Sequence, residues 1–166
     1  KDSGATIPIT HFTCIGNSKD KIRDELRNYL SLGVDHILAL RGDFPKGSAS
    51  TGGDFNYANE LIAFIKEAFP EFSIAMAGDP EKHFEASSFD EDIAHLRIKQ
   101  DAGADFIMTQ LCHDIAHYEW WVEKIRKAHI TLPVDVGIMP VLAKDPTIRM
   151  AVSNGSSIPK IGRAHV

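Results

Sequence analysis

The chain has 166 residues, 43% of them hydrophobic and 25% charged, a composition that suits one soluble globular domain and excludes disordered or fibrous chains. Its net charge of -5 and pI near 5.9 argue against a nucleic-acid or acidic-membrane surface, so an anionic ligand must be met by local cations. No apolar run approaches the roughly 18 residues that span a bilayer and the first residues lack the charged-then-apolar plan of a signal peptide, while the widely spaced Cys14 and Cys112 read as reduced core thiols of a cytoplasmic protein.

Strand-like runs begin near residues 7, 34, 72, 105 and 134, with amphipathic segments between them at a beat of roughly 30 residues, the signature of parallel strand-helix units. The first strand, Ile7 to Thr13, carries His11. The helix after it, Lys19 to Leu32, places Ile22, Leu26 and Leu30 on one face and stops at Gly33, a left-handed cap. The run from Val34 through Leu40 reads as a buried strand and ends in Arg41, Gly42 and Asp43. A second helix is expected from Phe55 to Phe69, with Leu61, Phe64, Ile65 and Ala68 inward and Pro70 beyond its end.

The third strand leads to Asp79, Glu81 and His83, and the third helix opens on Ser88-Phe89-Asp90-Glu91, a capping box, and ends at Gly103. A strand from about 105 ends in Gln110. The fourth helix, Ile115 to Ala128, is expected to turn Tyr118, Trp121, Val122 and Ile125 inward and Trp120 outward. A strand from Val134 to Pro140 and a partial helix, Pro146 to Val152, close the series. A doubly wound open sheet and an eight-stranded barrel both make this beat. No G-x-G-x-x-G follows a strand, and polar residues recur at strand carboxyl ends, which favours an incomplete (β/α)8 TIM barrel of about five strand-helix units.

Taken together, "HFTCIG", "LALRGDFPKG", "DPEKHFEA", "DAGADFIMTQL" and "GIMPV" resemble the methylenetetrahydrofolate reductase family, in order from Thr10 to Pro159. The resemblance implies a flavin-dependent barrel represented here by its third to seventh strands and truncated at both ends. Residues 1–160 would be the partial barrel, and 161–166, which match the translation of a sequencing adapter, a non-native tail. It also implies FAD as cofactor, NADH or NADPH as reductant, and ping-pong reduction of methylenetetrahydrofolate to methyltetrahydrofolate in one-carbon metabolism. The complete protein would be a cytoplasmic homo-oligomer without nucleic-acid or membrane partners. The family's proton donor is a glutamate on the first strand, so residues 1–166 alone are expected to be inactive. A reductase-like module that holds flavin or folate for a partner subunit is the alternative. An aldolase-type barrel has no lysine at a strand end to rest on.

The resemblance also implies site roles. Arg41, Gly42 and Asp43 match a FAD-binding motif, with Asp43 the catalytic carboxylate that favours cationic character in the folate; a loop salt bridge is the bland reading. His11, Tyr57 and Ala58 match cofactor-contacting positions, although a lone histidine and a glycine-rich turn are usually structural. Asp92, His95 and Lys99 form an expected polar stripe opposite Ile93 and Leu96, and with His83 they would hold the ribose and diphosphate of FAD. Residue spacing alone makes that stripe a solvated helix face. His95 stands where the family often has asparagine, and Asp79 where some members have tyrosine. Gln110 matches the glutamine that binds the pterin and also meets nicotinamide. His113 and Asp114 lack a third partner at ligand spacing, and no metal is assigned.

Overall fold

The structure, a computed structural model, describes residues 8–43, 52–139, 143–153 and 156–157. Five parallel strands alternate with five helices: β1 (Thr10–Thr13), α1 (Lys19–Ser31), β2 (His36–Leu40), α2 (Ala58–Ala68), β3 (Ser73–Gly78), α3 (Phe89–Asp101), β4 (Phe106–Leu111), α4 (Ile115–Lys127), β5 (Val134–Gly137) and α5 (Lys144–Ser153). Strand order is sequence order. The strand-helix beat predicts this alternation, and the five units are those of a partial (β/α)8 fold, the one of the two expected architectures that the polar strand ends favour. The chain divides into two compact units, one of residues 1–76 with 98–105 and one of 77–97 with 106–166.

In the first unit, β1 pairs with β2 from Thr10↔Ile37 to Thr13↔Leu40, and β2 with β3 from His36↔Ser73 to Ala39↔Met76. Ile37, Leu38 and Ala39 are all buried, as a strand covered on both faces requires. Ser18 caps α1 by accepting from the Lys21 amide, and Ile22 and Leu26 are fully buried. Gly33 has φ +75, the left-handed conformation expected after the helix. The second helix begins three residues later than its apolar pattern suggests. Glu60 reaches back to accept from the amides of Asn56, 2.7 Å, and Tyr57, 3.4 Å, which fixes the start at Ala58. Its inward face is Leu61, Ile62 and Ile65, whereas Ala68 is exposed. Asp105 ties residues 98–105 to this unit, accepting from Lys66 Nζ and from the Ile74 amide, each at 2.7 Å.

In the second unit, Trp121 and Ile125 of α4 are fully buried, while Trp120 stays 38% exposed on the outer side. The α3 cap departs from the expected box. Ser88 Oγ accepts from the Glu91 amide at 3.1 Å, but the Glu91 carboxylate bonds the amide and hydroxyl of Ser87, one residue earlier. Those hydrogen bonds hold the Glu91 carboxyl below its usual range. The ends of the first and last predicted strands, Ile7 and Pro140, lie outside the described residues. Among the described residues no helix is long and apolar enough to cross a membrane.

Both cysteines are unpaired and buried. Burial pushes the Cys14 thiol up from 9.0 to about 11, assisted by the Glu60 carboxylate and opposed by a backbone hydrogen bond and Arg41; burial raises Cys112 as well. The fold therefore favours the neutral thiol of Cys14. That contribution to stability is fully present below pH 9.0 and is lost as the pH rises to about 11. Native-state alkylation of both residues by iodoacetamide at pH 8 is expected to be slower than in urea by about tenfold or more. Equal rates would contradict their burial.

Candidate active site

The carboxyl end of β2 is anchored by the segment after β1. Arg41 O accepts from the Ile15 amide at 2.9 Å and from Cys14 Sγ at 3.6 Å, and the Arg41 guanidinium donates from Nε to Gly42 O at 3.2 Å. Gly42 has φ +89, and a Cβ there would lie 2.7 Å from Ile15 Cγ2. Glycine is thus demanded by the backbone itself and by Ile15, whatever binds nearby. Asp43 follows in an exposed position. His11 is exposed on β1, Tyr57 is the exposed N-cap of α2, and Ala58 is its first residue. Lys99 is half-buried in the last turn of α3.

In the second unit, the loop after β3 is bound into place from several sides. Lys82 adopts φ +75, an uncommon state for a residue with a side chain. Its ammonium donates to His83 O at 3.0 Å and to Ala86 O. His117 Nε2 donates to Pro80 O at 2.8 Å. The Glu85 amide donates to His83 Nδ1 at 3.2 Å, so the neutral ring carries its proton on Nε2, and that ring stacks on Phe84 at 4.7 Å.

The His83 amide donates to Asp92 Oδ2 at 3.2 Å. Asp92 is only 6% exposed. This corrects the expected stripe: Asp92 is buried along with Ile93 and Leu96, whereas His95 is exposed. Residues 92, 96 and 99 are spaced i, i+4 and i+7, which puts Asp92 beside Leu96 on the helix, not opposite it. His83 and Asp92 are therefore joined, and His95 stands apart from them.

Gln110 occupies an irregular point of β4. Met108 pairs with Asp135 and Leu111 with Gly137, so Thr109 and Gln110 together oppose Val136, a β-bulge that re-aims the side chains at the strand end. A small cleft there is lined by Asp79, Glu81, Lys82, Gln110 and Ser156. Asp79, Glu81 and Gln110 stand out in the sequence as polar strand-end residues. Lys82, Ser156 and His117 do not: Lys82 sits inside a motif with no role of its own there, the other two have no periodic or motif signal, and each acts through a long-range or loop contact. Asp114 is spent as the cap of α4, accepting from Ala116 and His117 amides at 3.0 and 3.2 Å.

The Methylenetetrahydrofolate reductase family profile matches residues 4–162. Methylenetetrahydrofolate reductase 1 of Schizosaccharomyces pombe is 41% identical over 153 residues, covering 90% of this chain and 25% of its own length. The 5,10-methylenetetrahydrofolate reductase of Escherichia coli is 38% identical over 141 residues, 85% of this chain and 46% of its own. The chain thus spans between a quarter and a half of these relatives. Among solved structures, a Clostridium thermocellum protein described as binding two copies of 5-methyl-5,6,7,8-tetrahydrofolic acid shares the fold, with a TM-score of 0.65 at 15% identity over 96% of this chain and 53% of that one.

Proposed function

This chain belongs to the methylenetetrahydrofolate reductase family, and from that premise we propose that, as part of a complete barrel, it takes part in FAD-dependent reduction of methylenetetrahydrofolate to methyltetrahydrofolate by NADH or NADPH. The observation that carries this reading is the family match across nearly the whole chain. Residues 1–160 would form the partial barrel.

The Asp92 carboxylate suits the sugar of a flavin dinucleotide. Asp92 is buried and meets the His83 amide through one oxygen; an ionised carboxylate has room for several donors, which sugar hydroxyls supply. The family resemblance assigns Lys99 to phosphate, and His83, His11, Tyr57, Ala58, Arg41 and Gly42 to other parts of the cofactor. His95 is exposed and fits only a peripheral place. Bound FAD would supply two-electron hydride transfer between reduced nicotinamide and the folate.

Asp43 would set its negative charge beside the folate as positive charge develops on the carbon-nitrogen unit, and Gln110 would orient the pterin. The amide of Gln110 offers both a donor and an acceptor to a ring edge that has both. Gln110→Glu is expected to raise the KM for methylenetetrahydrofolate by about tenfold or more, since a donor is replaced by a charge, with bound flavin unchanged. Loss of flavin from the purified variant would move Gln110 out of the folate shell and overturn its role.

A further inference from the structure

On the reading of Gln110 as the residue that grips the pterin, we propose that Ser156 and Glu81 are positioning residues that hold Gln110 in its binding pose through the backbone of Leu111. The bulge at Thr109 and Gln110 removes the regular ladder that would otherwise set the direction of this side chain. Gln110 is anchored instead to its neighbour, Oε1 accepting from the Leu111 amide at 2.9 Å. The orientation of Leu111 therefore governs the orientation of the glutamine.

Leu111 is clamped from two sides. The Cys112 amide donates to Gly137 O at 3.2 Å, while Leu111 O accepts from Ser156 Oγ at 2.7 Å. Ser156 is 9% exposed, and its own amide donates to Ala151 O at 2.8 Å, which fixes the hydroxyl at the end of α5. The next amide, Ser157, donates to both carboxylate oxygens of Glu81 at 2.8 Å each, a charge-assisted pair stronger than a neutral hydrogen bond. Glu81 in turn follows Pro80, whose carbonyl is held by His117. A continuous line of contacts within one compact unit thus runs from the loop after β3 to Gln110, and Glu81, Ser156 and Gln110 line the same cleft. Glu81 and Ser156 set the pose; neither needs to touch the folate.

The test uses the intact protein with FAD, 15N-labelled at glutamine. Ser156→Ala is expected to shift the Gln110 side-chain amide resonances and to raise the KM for methylenetetrahydrofolate by about threefold to tenfold, the scale of one lost hydrogen bond, with kcat within about twofold of the parent. Ser156→Thr, which keeps the hydroxyl, restores both. Glu81→Gln moves both in the same direction by less and serves as the second variant should Ser156→Ala fold poorly. In a Gln110→Ala background, Ser156→Ala adds nothing, because residues that act through one another are not additive. An unmoved Gln110 resonance, or the same KM rise in the Gln110→Ala background, overturns the positioning role. A Gln110→Ala protein with unaltered KM, alongside a resonance that does respond to Ser156→Ala, retires the folate role of Gln110 and upholds the clamp.

Discussion

In the complete barrel, on the role proposed for Asp43, Asp43→Asn is expected to slow the folate half-reaction by about tenfold to a hundredfold while leaving flavin reduction by the nicotinamide nearly unchanged. The substitution keeps the shape and one acceptor oxygen, removes the charge and turns the other oxygen into an amide donor. A unit charge about 4 Å from a developing cation is worth at most about 4 kcal/mol at an effective dielectric of 20, and the exposure of Asp43 admits water that lowers this. Only the folate half-reaction builds positive charge, on the carbon that receives hydride and its nitrogen, so only that half should respond. Stopped-flow measurement of flavin reduction and of flavin reoxidation by methylenetetrahydrofolate, taken separately, checks it. Equal slowing of both halves would show that Asp43 acts on the flavin, not on the folate.

The largest expected loss of stability follows Trp121→Ala, about 3 to 5 kcal/mol. Trp121 is fully buried, and its ring fills the space over Gly78, where an added Cβ would lie 3.2 Å from the indole and 2.7 Å from Ile107. Removing the ring leaves a cavity that the surrounding strands cannot close. Trp121→Phe should cost much less than the alanine variant. The indole Nε1 is buried with no hydrogen-bond partner among the described residues, so the smaller ring sacrifices packing but also relieves an unmet donor. Urea unfolding of the two variants checks the order, and comparable losses would show that a phenyl ring does not fill the space the indole occupies.

Much of the fold is legible before any coordinates because its signals are local. Gly33 closes α1, the burial of Ile37, Leu38 and Ala39 follows from an unbroken apolar run, and the period of α4 identifies Trp121 and Ile125 as core. Errors arise where a side chain reaches beyond its own segment. Glu60 sets the start of α2 by capping Asn56 and Tyr57, against an apolar pattern that extends back to Phe55.

For the candidate site, the order of residues alone shows which chemistry stands at the strand ends: Arg41 and Asp43 after β2, Asp79 and Glu81 after β3, Gln110 at the end of β4. Strand length and alternation depend on neighbouring residues, so the ends of buried runs can be read directly. Folding in three dimensions is what buries Asp92 under the His83 amide while His95 faces solvent, places a bulge at Gln110, and brings Ser156 onto Leu111 from 45 residues away. Those facts depend on which distant segments meet, and a lone serine or carboxylate carries no local pattern that announces its partner.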